Sequence, residues 1–287
     1  MNDVFQNYLA GEVAPHLALM MLFINCDNEE NAREILVSAI RDAEPMAKTK
    51  LTELQDLWNR SPESYSYISK INGLARTGGA TEERVLGYRE AFDKAVFISA
   101  EASVALYSLG NPDLLNSITS EIVALMQQWE LFDRNSIIAE IGCGTGRFQR
   151  FLAPHAGAIV GLDISRQMLR RASDAVRSFT NVLLVQVTGT DLSMLRNNMF
   201  NLVLAIDSFP YIVDAGGADV HFRDCARILT ARGRMLLMNF EYGTDLQSQQ
   251  ERIASLAAKH GFAVKRNGTR DLRCWDGRSF LLEKLAT

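Results

Sequence analysis

The stretch Ile137–Phe148, IIAEIGCGTGRF, decides the fold. An apolar run carrying a carboxylate, Glu140, passes straight into Gly142-Cys143-Gly144-Thr145-Gly146, after which Phe148, Phe151 and Leu152 take up the period of a helix. A strand that feeds a glycine-rich turn and then a helix lays bare backbone N–H groups and a positive helix end along a crevice. The glycines admit the close approach of a flat, polar ligand, or they serve a tight turn alone. Asp163 favours the ligand, because it closes the run AIVGLD 23 residues after Glu140, where a carboxylate accepts hydrogen bonds from both hydroxyls of a ribose.

Outward from there the pattern repeats. The runs VLLVQV, FNLVLAID and RMLLMNF are apolar on both faces, as strands of a covered parallel sheet are, and helical spacing fills the intervals. Ser165 is a good N-cap for a helix carrying Met168, Leu169, Ala172 and Val176. Further helices are expected around Leu192–Arg196, Ala218–Leu229 and Asp245–His260, the last stopped by Gly261. Near the end, RDLRCW and RSFLLEKL flank Asp276-Gly277, a strong hairpin signal, so the doubly wound α/β sheet is expected to close with an antiparallel strand.

These residues resemble the class I S-adenosylmethionine-dependent methyltransferases, over roughly Leu131–Leu285. EIGCGTG is similar to their first motif, VGLDIS to the acidic second, GTDL at Gly189–Leu192 to the third-strand motif and LVLAIDSF to the fourth. The resemblance implies a seven-stranded, mostly parallel Rossmann-like sheet with an antiparallel hairpin strand, and S-adenosylmethionine as cofactor, with S-adenosylhomocysteine as product. It implies that Glu140, Gly142 and Gly144, in the turn shared with Cys143 and Gly146, hold the amino acid part and that Asp163 holds the ribose. Ile164 and Met168 then flank the adenine, Thr190-Asp191 reaches its exocyclic amine, and Asp207 and Ser208 stand near the methyl group. The family often has Gly-Asp-Ala where this chain has Gly-Thr-Asp.

Residues 1–130 have another texture, helix signals without strand-like runs, and are set apart from the 131–287 domain. Asp27, Ser61-Pro62 and Asn111-Pro112-Asp113 read as helix starts, and Leu115, Ile118, Ile122, Leu125, Met126 and Trp129 form one apolar stripe. Gly78-Gly79 marks a break, and one long helix is expected over Glu82–Leu109. This all-helical region could be an appendage, a dimerisation surface or a cover over the ligand crevice. The cover is preferred, since a sulfonium loses charge on methyl transfer and benefits from a site with little water. Tyr107 and Ser108 are then the crevice-facing residues; in the alternative reading they only pack and end a helix.

No side chain announces itself as the catalytic group. His221 is a candidate base or a plain helix residue, and Tyr211 and Tyr242 line an acceptor pocket or pack on the core. The four cysteines form no CxxC pair and have no histidine at ligand spacing, so no metal is expected. The net charge of −4, without a basic block, disfavours nucleic acid, and the most apolar run, Leu17–Ile24, is too short to span a membrane. The expectation is a cytoplasmic monomer or homodimer that methylates a small-molecule oxygen or nitrogen nucleophile. The alternatives are an RNA or protein methyltransferase, and a non-catalytic cofactor-binding sensor.

Overall fold

The computed structural model describes residues 3–74 and 79–286; Gly78 of the expected break lies outside them, while Gly79 has φ +99°. These residues gather into two compact units, one of Met1–Ala75, Lys94–Ile118 and Leu272–Asp276, the other of Arg76–Asp93, Thr119–Asp271 and Gly277–Thr287.

Helices make the first unit: α1 (Asp3–Leu9), α2 (Pro15–Ile24), α3 (Glu29–Asp42), α4 (Pro45–Arg60) and α5 (Ser64–Asn72), joined by the end of α6 (Thr81–Ile98), by α7 (Ala100–Val104) and by the start of α8 (Pro112–Gln128). Their core is aromatic, with Trp58 edge-on to Phe23 at 4.7 Å between centroids. Asn28, not Asp27, caps α3, its side chain accepting from the Asn31 N–H at 2.8 Å. The long helix expected over Glu82–Leu109 is broken at Ser99, because that hydroxyl accepts from the Ala102 N–H at 3.1 Å and starts a new turn. A serine that competes for the backbone favours a cap over a helix interior.

The second unit is built on a sheet of β1 (Ile137–Ile141), β2 (Ala158–Asp163), β3 (Val182–Gln186), β4 (Phe200–Ile206), β5 (Leu229–Met238), β6 (Phe262–Thr269) and β7 (Ser279–Lys284) in the order β3-β2-β1-β4-β5-β7-β6. The first five strands run parallel and β7 antiparallel to both neighbours, the expected architecture. Helices α9 (Arg147–Leu152), α10 (Arg166–Val176), α11 (Phe209–Asp214), α12 (Ala218–Ile228) and α13 (Leu246–His260) fill the connections. Central strands are buried on both faces, as the continuous apolar runs require: Ile138, Ala139, Val203 and Leu236 are inaccessible.

Two expected elements differ. Leu192–Arg196 forms turns and no helix. The partner of the last strand is FAVKRNGT, not RDLRCW: Leu272 and Trp275 are buried within the helical unit, where Trp275 lies 5.0 Å from Tyr107, so RDLRCW serves that core instead of a sheet face. β6 escaped detection because it is an edge strand with a mixed pattern, broken by two register shifts, one at Gly268 with φ +77°. No helix among the described residues is long and apolar enough to cross a membrane.

Candidate active site

The crevice of a doubly wound sheet opens where strand order reverses, here between the carboxyl ends of β1 and β4. The chain leaving β1 turns back over β2, with the N–H groups of Gly142 and Cys143 both donating to the Leu162 carbonyl at 2.8 and 2.9 Å. Gly142 has φ +75°, and a Cβ there would lie 2.4 Å from that of Ser208, so no other residue fits. Ser208, which follows β4, donates from its hydroxyl to the Ile141 carbonyl at 2.5 Å and pins the two strand ends together. Gly146, at φ +80°, begins α9 against the backbone of Ala172. The Cys143 side chain packs on Gly161 of β2, leaving the crevice only its backbone.

Asp163 ties the second strand into this turn. One carboxylate oxygen accepts from the Gly144 N–H and the other from the Ser165 N–H, each at 2.8 Å. Burial pushes the Asp163 pKa up to about 6, the N–H groups of Ser165, Gly144 and Ile164 pull it back, and the charge of Asp93 adds to the rise. Glu140 is buried too, and burial raises it to about 8 against the restraint of Arg147 and of Gln149, whose amide donates to the Glu140 carboxylate. The Gln149 carbonyl oxygen is buried and has no hydrogen-bond partner among the described residues. An acceptor pair of this kind suits the ammonium of an amino acid, and a carboxylate has lone-pair sites beyond those its backbone partners fill, which suit a ribose hydroxyl. The residues present fit S-adenosylmethionine.

The flanking positions follow in order. The Ile164 side chain covers Gly189, where an added Cβ would meet it at 2.7 Å. Met168 is buried, its N–H donating to Ser165 Oγ at 3.0 Å. Thr190 Oγ1 lies 3.0 Å from Thr188 Oγ1, and Asp191 accepts from the hydroxyl and N–H of Ser193 at 2.6 and 2.9 Å, which holds its carboxyl below the usual range. Asp207, Tyr211 and Tyr242 form a second cluster past β4 and β5: the Tyr242 hydroxyl donates to Asp207 at 2.6 Å, and the two rings are 6.1 Å apart. Among the described residues His221 shares no hydrogen bond with them; it is buried in α12, paired through Nδ1 with the Gly217 carbonyl at 2.9 Å, and burial lowers its pKa. Tyr107 and Ser108 are buried in the helical unit, Ser108 Oγ accepting from the Gly110 N–H at 3.2 Å.

Sequence reasoning missed Gln149, Asn239 and Asp93. Gln149 lies three residues past Gly146, on the inward face of the first helical turn, a signal that spacing offers. Asp93 offers none, since it comes from a distant helix. The part of α6 that belongs to the sheet unit crosses three strand-end loops. Asp93 accepts from Ser165 Oγ and the Gln167 N–H at 2.6 and 3.1 Å, Val85 meets Gly189, and Tyr88 and Phe92 pack edge-on to Tyr211 at 5.0 and 5.1 Å. The Tyr88 hydroxyl donates to Asp214 at 2.6 Å.

Residues 138–233 match a family described as a methyltransferase domain. Among solved structures, the chain is similar to a phosphoethanolamine N-methyltransferase from Haemonchus contortus, with phosphoethanolamine and S-adenosylhomocysteine bound, at TM-score 0.57 and 16% identity over 73% of this chain and 50% of that one. It is also similar to magnesium protoporphyrin IX methyltransferase from Synechocystis PCC 6803 with S-adenosylmethionine bound, at TM-score 0.52 and 15% identity over 70% and 97% of the two chains. Demethylmenaquinone methyltransferase of Tropheryma whipplei is 28% identical over 37% of this chain and 42% of its own. A 23S rRNA (uracil(1939)-C(5))-methyltransferase of Psychromonas ingrahamii is 24% identical over 45% and 32%. The chain therefore spans less than half the length of these curated relatives. Residues 138–233 are therefore a methyltransferase domain, and the sheet that holds them has the fold of the class I enzymes whose cofactor is S-adenosylmethionine.

Proposed function

We propose that the chain is a cytoplasmic enzyme that transfers a methyl group from S-adenosylmethionine to a small-molecule oxygen or nitrogen nucleophile. The observation that carries this reading is the hydrogen bond from Gly144 to Asp163, which joins the glycine-rich turn to the ribose carboxylate, with a Gln149 oxygen that has no partner among the described residues on the helix that follows. Relatives named for demethylmenaquinone and for a 23S rRNA uracil span both acceptor classes; the net charge of −4 favours the small molecule, since a polyanion gains nothing from such a surface.

The cofactor supplies a sulfonium-bound methyl group. Glu140 and Gln149 hold its amino acid end, Asp163 its ribose hydroxyls, and Ile164, Met168 and Asp191 its adenine. Displacement in line requires little beyond placing the nucleophile about 3 Å from the methyl carbon, so orientation is the main contribution of the protein. Residues 81–93 of α6 serve as cover, excluding water from three strand ends. His221, paired with Gly217 and kept neutral by burial, suits helix packing better than proton transfer.

Calorimetry with S-adenosylhomocysteine tests the cofactor site. Asp163→Ala removes charge-assisted bonds of about 1.5–3 kcal/mol each, and Gly144→Val blocks the turn. Both are expected to weaken binding at least tenfold, and unchanged affinity in both overturns the assignment. Transfer of a labelled methyl group to small-molecule, RNA or protein fractions then separates the acceptor classes, and binding without transfer to any fraction identifies a sensor.

A further inference from the structure

Two residues that are not glycine hold left-handed backbone at the ends of adjacent strands, Asp207 after β4 and Asn239 after β5, both at φ +61°. Such conformations cost energy and persist where the surrounding structure imposes them, most often at functional sites. Here the surroundings are specific. The Asp207 N–H donates to the Met238 carbonyl at 2.8 Å, and Asn239 is clamped by Arg278, giving its own N–H to the Arg278 carbonyl at 2.9 Å and accepting the Arg278 N–H at 3.0 Å. The Asn239 amide and the Tyr242 hydroxyl then both donate to one oxygen of Asp207, at 2.9 and 2.6 Å. Strain and hydrogen bonds together aim one partly exposed carboxylate at the rim of the crevice, one residue from Ser208, which touches the glycine-rich turn.

The walls beside that carboxylate are aromatic. Tyr211 lies 6.1 Å from the half-exposed ring of Tyr242 and is itself met edge-on by Tyr88 and Phe92. A carboxylate beside these rings attracts a cation and repels an anion. Burial first, and then the charge of Asp207, keep the Tyr211 phenol in its neutral, donor-bearing form.

We propose that Asp207, aimed by Asn239 and Tyr242 and walled by the rings of Tyr211 and Tyr242, docks a protonated amine, which makes the methyl acceptor a small amine alkylated on nitrogen. This rests on the methyltransferase reading. The ammonium gives a proton to the Asp207 carboxylate, and the nitrogen lone pair then forms the bond to the methyl carbon as the carbon–sulfur bond breaks. The electron pair of that bond stays on sulfur, the positive charge reappears on the alkylated nitrogen, and the proton on Asp207 leaves to water. Asn239 and Tyr242 are positioning residues.

The full-length protein, saturated with S-adenosylhomocysteine and labelled in its tyrosine rings, is titrated with n-butylammonium and with butyrate while ring signals are followed by NMR. The wild type is expected to bind butylammonium at least about tenfold more tightly than butyrate, with Tyr211 and Tyr242 shifting, since a tenfold preference needs only one charge-assisted bond. Asp207→Asn, a residue at ease with positive φ, is expected to erase the preference. Tyr242→Phe keeps the ring and is expected to weaken butylammonium about tenfold without changing butyrate, which a purely structural role of the hydroxyl does not do. Equal binding of the two probes by the wild type, or a preference that survives Asp207→Asn, overturns the proposal. Failure of the wild type to bind S-adenosylhomocysteine instead overturns the cofactor reading beneath it.

Discussion

The carboxyl group of Glu140, shut away from water near the end of β1, has its pKa raised from 4.5 to about 8, with burial the main cause. Between those two values the unfolded chain has released a proton that the folded chain keeps, so stability falls as pH rises through the window and levels off above about pH 8. Glu140→Gln is expected to flatten that fall, read from urea unfolding over a pH series; an unaltered slope places the titration elsewhere. Asp163, raised to about 6, adds a smaller decline at lower pH. Glu140 and Asp163 were legible because a strand's last residues and the following turn are read in one dimension. Gln149 needed only the next helical turn, whereas Asn239 and Asp93 reach their partners across 32 and 72 residues, a distance no local pattern carries.

At the scale of the element, α6 binds the sheet's carboxyl edge through Asp93, whose carboxylate receives Ser165 Oγ and the Gln167 N–H. Asp93→Ala removes both bonds, and amide exchange over residues 81–93 is expected to accelerate about tenfold as this stretch opens more often. Unchanged exchange there shows that the aromatic contacts of Tyr88 and Phe92 suffice. The helix was visible in the sequence but its end was not: apolar spacing runs on past Ser99, and only the serine's bond to Ala102 reveals the break. The buried parallel strands were legible from their continuous apolar runs. β6 was not, because an edge strand buries one face in part and tolerates the polar Lys265, Arg266 and Asn267.

On the scale of the molecule, the five residues Leu272–Asp276 leave the sheet between β6 and β7 and complete the helical unit, where His16 Nε2 pairs with the Cys274 carbonyl at 2.7 Å and Trp275 packs on Tyr107. Trp275→Ala is expected to cost about 3–5 kcal/mol, with loss of amide protection concentrated in α1–α5 while the sheet keeps its own. Equal loss in both units contradicts that division. The excursion was misread because Asp276-Gly277 imitates a hairpin turn and the true destination of Leu272 and Trp275 lies more than a hundred residues upstream.

That excursion also sets an order of events during synthesis. A chain grows from its N-terminus and its domains generally fold as they emerge, yet the helical unit lacks part of its core until Leu272–Asp276 have been made. Helices α1–α5 thus wait for their final packing while β1 to β6 are being made, with Tyr107 uncovered until Trp275 follows.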